Sequence, residues 1–251
     1  MALSSDEMRA FERDGFVIVR GVFSASEIAG YARAIEALAG RPPEIGRQMV
    51  YLENSQTMPR TQVLSRIEAF VEYDDTLSRV VFDPRIVEPT AALLGDDAVL
   101  FKDKINFKLP GGSGFTPHQD IQAGWDSYAG YFVSVLIAID ENTVANGCLE
   151  LAAGHHGRGL IGRRWEPLAG DDLKGVEFVP YPMAPGDVVF FDCFTPHQSQ
   201  PNLTSGPRRN LYLTFNRAAD GDFRERYFAD KRKSFPPDYE RTPGVSYTFR
   251  V

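Results

Sequence analysis

His118, Gln119 and Asp120 place an imidazole two residues before a carboxylate, directly after the turn-rich segment 111–117. In extended backbone, residues i and i+2 point to the same side, so an imidazole nitrogen and a carboxylate oxygen can converge on one ion. The chain has four histidines, and a third ligand must come from elsewhere. His197 qualifies, because it follows the apolar run 188–191 through the short segment 192–196. Two imidazoles and one carboxylate on one face of an octahedral metal leave positions open, the arrangement of non-haem Fe(II) oxygenases. A His-x-Asp triplet is common, and its aspartate can equally accept hydrogen bonds in a turn.

Arg208 lies eleven residues after His197, within Pro207-Arg208-Arg209. Arginine is always charged, and its planar fork of donors matches a carboxylate in bidentate fashion. At the start of the next strand it could hold the far carboxylate of 2-oxoglutarate while the other end chelates iron. A surface arginine pair beside a turn has the same sequence. Parity separates the two arginines: Arg208 shares a strand face with Asn210, Tyr212 and Thr214, whereas Arg209 goes with Leu211, Leu213 and Phe215. A polar cavity favours Arg208. Asn106 and Lys108 alternate in the same manner ahead of the metal motif.

His118-Gln-Asp120, Asn146-Gly-Cys-Leu149 followed by Gly154-His155, Pro185-Gly-Asp187, and His197-Gln-Ser199 with Pro201-Asn202 and Arg208 occur in that order. Together they resemble the phytanoyl-CoA dioxygenase superfamily, over most of the chain from Asp14 to Phe215. The resemblance implies a double-stranded β-helix, Fe(II) on His118, Asp120 and His197, Arg208 anchoring the 2-oxoglutarate tail, and O2 as the other cosubstrate. It further implies that Asn106 and Lys108 line the cosubstrate pocket, with Gln119 beside them and Ser199 assisting Arg208. Gly114-Phe-Thr-Pro-His118, Ala123-Gly-Trp125 and the segments 227–231 and 235–238 are similar to a bacterial branch that includes hydroxylases of small organophosphonates. Related halogenases have a small residue where this chain has Asp120, so hydroxylation is expected. Desaturation, ring closure and epimerisation use the same ligands.

A small anionic or zwitterionic substrate is expected, with Trp125, Tyr128, Arg163, Arg164 and Trp165 as candidates for its entrance. The aromatic residues serve equally as core or lid packing, and the arginines as solvated surface. Lys102, Lys104, Arg163 and Arg164 could recognise a phosphonate or carboxylate, or simply balance nearby acids. A hydroxylase of an amino acid or small natural product is the alternative. A non-catalytic, cupin-like metal- or ligand-binding protein is the alternative of another class. His155-His156 reads as a polar strand-end turn, because adjacent residues of a strand face opposite sides.

The elements that must position these residues divide the chain in two. Segments 5–14 and 24–39 read as helices, the second opened by Ser24 and Glu27 at capping-box spacing, with a strand at 16–19 between them. A further helix starts on Asp83 and Pro84 and runs toward Gly95, so the first hundred residues read as mostly helical. From Ala98 onward, short β-branched and aromatic runs at 98–101, 105–109, 131–139, 148–151, 188–191 and 211–215 alternate with turn residues. The near-continuous apolar runs are strands covered on both faces. The pattern is mainly β with flanking α-helices: a two-sheet jelly roll, or cupin-like barrel.

With 251 residues, 43% hydrophobic and 24% charged, the chain is expected to form a single domain spanning 1–251 with a large core. A net charge of -7 argues against nucleic acid, whose backbone is held by clustered Lys and Arg. Cys148 and Cys193 are too few for a disulfide framework and sit in apolar runs, as in a reducing cytoplasm. The opening Met1-Ala-Leu-Ser-Ser-Asp6 lacks the basic and apolar segments of a secretion signal, and no apolar stretch is long enough to span a bilayer. The expected partner is a small-molecule substrate, with the chain as monomer or dimer.

Overall fold

The computed structural model describes residues 2–247. Helix α1 (Ser5–Asp14), strand β1 (Phe16–Val19) and helix α2 (Ala25–Ala39) open the chain. Ser4 with Glu7, and Ser24 with Glu27, form capping boxes. In each, the serine oxygen accepts an orphan N–H of the first turn while the glutamate accepts the serine N–H. Two strands unforeseen in the mostly helical reading follow: β2 (Met49–Asn54) and β3 (Gln62–Glu68), an antiparallel pair. Helices α3 (Asp75–Val81) and α4 (Pro84–Leu94) come next, α4 capped by Asp83 and carrying Pro84 in its first turn.

The remaining strands are β4 (Ala98–Asn106), β5 (Phe115–His118), β6 (Val133–Ala138), β7 (Leu149–Leu151), β8 (Val179–Pro180), β9 (Val188–Asp192), β10 (His197–Ser199) and β11 (Asn210–Arg217). The run at 98–101 and the first two residues of that at 105–109 thus belong to one strand, interrupted in sequence only by the charged residues 102–104. Helix α5 (Arg224–Ser234) follows. Seven strands form one sheet in the order β1-β9-β6-β11-β4-β3-β2, and four form another in the order β5-β10-β7-β8. All pairings are antiparallel. This is the double-stranded β-helix.

Register explains how one sheet serves two purposes. Glu68 pairs with Lys104, Lys104 with Tyr212, and Tyr212 with Leu136; Arg66, Asn106, Asn210 and Ala138 form the next row. Residues paired directly across strands share a face, so these rows look the same way, toward the smaller sheet. There Leu136 and Ala138 meet Leu149 and Leu151 of β7 in a buried cluster. On the opposite face, Ile67, Ile105, Leu211, Leu213, Val135 and Ile137 pack with Ile28, Ile35, Leu77 and Ile86 of the helices. Each fully buried aliphatic side chain there stabilises the fold by about 1.5–3 kcal/mol. That helix-backed layer holds the sheet rigid, and the other face is left to carry polar groups. No helix among the described residues is long and apolar enough to cross a membrane.

Candidate active site

His118 ends β5 and His197 opens β10, and the two are register partners. Their side chains therefore leave one face together, with ring centroids 4.2 Å apart. Asp120 stands two residues further on, at the start of a 3-10 turn, with Oδ1 3.8 Å from His197 Nε2. One ligand atom from each of the three lies within 4.8 Å of the others, so the trio could hold a metal ion.

The surroundings fix which atoms face that ion. His118 Nδ1 lies 2.7 Å from Thr116 O, and His197 Nδ1 lies 3.0 Å from Thr195 O. A carbonyl only accepts, so both Nδ1 atoms carry the hydrogen and both Nε2 lone pairs remain for a metal. Ser134 Oγ donates to Asp120 Oδ2 at 2.6 Å, which leaves Oδ1. Burial, and then neighbouring His197, lower the His118 pKa and keep it neutral. Burial alone would raise the Asp120 carboxyl, but His197, His118, Lys104 and the Ser134 hydroxyl together hold it below its ordinary value. Two imidazoles that present Nε2, and a carboxylate, are suitable donors for Fe(II).

On one side of the trio is a cavity lined by Lys104, Asn106, Leu149, Ser199 and Tyr212. Two buried basic side chains adjoin it. Arg208 is 1% exposed and makes no ion pair among the described residues. Its Nη2 donates to Gly147 O at 2.8 Å, Nη1 reaches the Asn210 amide oxygen at 2.6 Å, and Tyr212 accepts another hydrogen bond. Nε is buried with no partner. Lys108 Nζ donates to Ser199 Oγ at 2.7 Å and to the carbonyls of Gly147 and Gln200. Burial, and then Arg208, push Lys108 down to about 6. Gly147 makes this approach possible: at φ +71 a Cβ would lie 2.0 Å from Gln200 O. A buried guanidinium with an orphaned donor, beside a buried amine whose protonation an anion would favour, both surrounded by neutral acceptors, fits a ligand carboxylate. Asn106 lies nearby with Oδ1 unpartnered.

On the other side is a second cavity, lined by Arg66, Glu68, Lys102, Lys104, Phe115, Ala123 and Trp125 in addition to His118 and Asp120. Of the residues expected at the substrate entrance, Trp125 is here. Tyr128 is not: its hydroxyl donates to Asp230 at 2.9 Å and its ring packs on Phe101 and Tyr227, fastening α5 to the body. Arg163 is turned to solvent with an 82% exposed side chain, 4.0 Å from Glu166. Arg164 pairs with Asp126.

Gln119 also differs from expectation. Flanked by inward-facing His118 and Asp120, it points the other way, donates to Gly159 O and Phe194 O, and accepts from Ile161 N. Gln122 donates to Arg163 O and Glu166 O. The two amides tie the metal-bearing turn to the loop 159–168, so Gln119 braces the site from behind. Ser199 serves Lys108 rather than Arg208. His156 opens a short 3-10 turn, and His155 lies beside Arg158.

Arg66 and Glu68 line the second cavity although the sequence pattern does not single them out, and Lys231 stands behind Glu68. Glu68 accepts from Arg66 Nε at 2.9 Å and from Lys231 Nζ of α5. The available signal was the alternation in Gln62-Val-Leu-Ser-Arg-Ile-Glu68, a strand pattern with charges on one face.

A double-stranded β-helix with a two-histidine, one-carboxylate trio beside an anion-ready pocket defines a non-haem Fe(II)- and 2-oxoglutarate-dependent dioxygenase. Residues 11–210 match the phytanoyl-CoA dioxygenase (PhyH) family, to which the chain belongs. It is 31% identical over 249 residues to the 2-aminoethylphosphonate dioxygenase of uncultured bacterium HF130_AEPn_1, covering 98% of this chain and 94% of that one. It is 32% identical over 234 residues to the methylphosphonate hydroxylase of Gimesia maris, covering 93% and 88%. Among solved structures, EctD from S. alaskensis with 2-oxoglutarate and 5-hydroxyectoine aligns with a TM-score of 0.72 and 25% identity, over 87% of this chain and 77% of that one.

Proposed function

We propose that the protein hydroxylates a C–H bond of a small organophosphonate. The observation that carries the reading is the cavity beside the trio, where Arg66, Lys102 and Lys104 present three basic side chains against the single non-ligand carboxylate of Glu68. Burial, and then Lys102, push Lys104 down to about 7, and an arriving anion favours its charged form. Relatives named for phosphonate substrates support the same class.

In this reading His118 Nε2, His197 Nε2 and Asp120 Oδ1 hold Fe(II), while Arg208 and Lys108 take the far carboxylate of 2-oxoglutarate. Iron and 2-oxoglutarate, once bound, reduce O2 so that one oxygen atom enters succinate, with loss of CO2, and the other enters the substrate C–H bond. The chain's work is placement. Thr116 O and Thr195 O fix the imidazole tautomers, and Ser134 fixes the carboxylate rotamer. Lys102 and Lys104 hold the phosphonate so that the adjacent carbon faces the trio, a contribution of proximity rather than of acid or base chemistry. Phe115 and Trp125 border that cavity and limit water near the reacting carbon. Two buried free thiols, Cys148 and Cys193, support a cytoplasmic location.

The test is oxygen-dependent release of succinate with a panel of alkylphosphonates, matched to alcohols and carboxylates of the same carbon skeleton. Hydroxylated phosphonate in amounts equal to succinate is the expected result. Equal turnover of the matched alcohols would overturn the phosphonate assignment.

A further inference from the structure

The substrate-side cavity already has an internal occupant for each place where a substrate ammonium would sit. Its one carboxylate besides the ligand Asp120 is Glu68, 1% exposed. One oxygen accepts from Arg66 and the other from Lys231. The two aromatic rings that line the cavity are occupied as well. Lys102 Nζ lies 5.5 Å from the Trp125 ring centroid, and Lys104 Nζ lies 5.6 Å from that of Phe115. Carboxylates and aromatic faces are what stabilise a desolvated ammonium. Burial disfavours the charge on Lys102 but Glu68 more than offsets it, so a further cation would stand beside a charged amine, and like charges in a poorly solvated space repel strongly. An anion meets the reverse situation, because Lys104 makes no ion pair among the described residues.

We infer that this cavity selects substrates whose only charged group is the anion, so that alkylphosphonates lacking an amino group are accepted and aminoalkylphosphonates are rejected. The inference rests on the organophosphonate reading above and narrows it. Discrimination of this kind arises from built-in repulsion as much as from attraction.

The deciding pair is propylphosphonate and 2-aminoethylphosphonate, which match in length and differ in a methyl against an ammonium. With the Fe(II)- and 2-oxoglutarate-loaded protein, dissociation constants are measured without O2 and kcat/KM with O2. Propylphosphonate is expected to be favoured in both by about tenfold or more. Lys231→Met, which frees one oxygen of Glu68, is expected to narrow the ratio; if that variant does not fold, the ratio in the parent protein still decides. Equal or better binding and turnover of 2-aminoethylphosphonate would overturn the inference while leaving the phosphonate reading intact. Failure of both compounds, together with no turnover across the alkylphosphonate panel, would overturn the two together.

Discussion

The two cavities flanking the metal trio differ in how their buried charge is balanced. Around Arg208 and Lys108 every identified protein acceptor is neutral. Around Glu68 the protein supplies its own counter-charge, with Arg66 and Lys231 bound to one carboxylate. The first cavity adjoins buried basic groups that have no carboxylate partner among the described residues. The second is already complete at its back wall and keeps spare positive charge only toward the trio. Removing one member should therefore cost binding in the first region and folding stability in the second.

The largest expected effect is on stability. Glu68→Gln leaves buried Arg66 and Lys231 without their carboxylate, and breaking a buried pair in this manner costs about 3–5 kcal/mol. Denaturant titration reads that loss; a midpoint unchanged from the parent would mean the network is not structural. Arg208→Met should leave the denaturation midpoint near that of the parent, yet weaken 2-oxoglutarate binding by about 1.5–3 kcal/mol, the range for hydrogen bonds to a charged group. A fall in stability with no change in 2-oxoglutarate affinity would erase the distinction between the cavities. Ser134→Ala removes the hydrogen bond that orients Asp120, and such outer partners are worth roughly 10- to 100-fold in metal affinity. Competition with a chelator measures it.

The smallest effect is a proton. With Lys108 at about 6 in the absence of a ligand, the amine is mainly neutral at pH 7.5, and an arriving carboxylate favours its charged form. Binding of 2-oxoglutarate at that pH should take up a fraction of a proton, seen as a dependence of the calorimetric enthalpy on buffer ionisation. The linked stability has a definite sign. Because the folded-state value lies below the ordinary 10.5, the unfolded chain binds more protons between about 6 and 10.5. This group's contribution therefore makes the ligand-free protein more stable as pH rises through that window.

What was legible in the sequence follows the same division. His118, Asp120 and His197 stand out because a scarce residue type recurs at spacings that a strand converts into one face. Strand parity likewise puts Arg208, rather than Arg209, on the inward side, and Arg209 indeed pairs with Asp140 and Glu36 on the helix-backed side. The same parity turns Gln119 away from the site that its neighbours face. Arg66 and Glu68 were hidden because β3 inverts the usual pattern, with charged residues directed inward and Ile67 toward the helices. Lys102 and Lys104 split β4 into two apparent strands for the same reason. For Tyr128 and Arg163 the sequence leaves entrance, packing and surface roles open, because their surroundings depend on α5 and on the loop 159–168, whose docking no local pattern encodes; Tyr128 packs and Arg163 is solvated.

The most direct test of the central claim is anaerobic titration of metal-free protein with Fe(II) and then 2-oxoglutarate, following the visible charge-transfer band. His118→Ala, Asp120→Ala and Arg208→Ala are run in parallel. A band is expected in the parent, with its loss in His118→Ala and Asp120→Ala and its appearance only at much higher 2-oxoglutarate in Arg208→Ala. A folded parent protein that gives no band, or ligand variants that give it undiminished, would contradict the assignment of His118, Asp120 and His197 as the iron site.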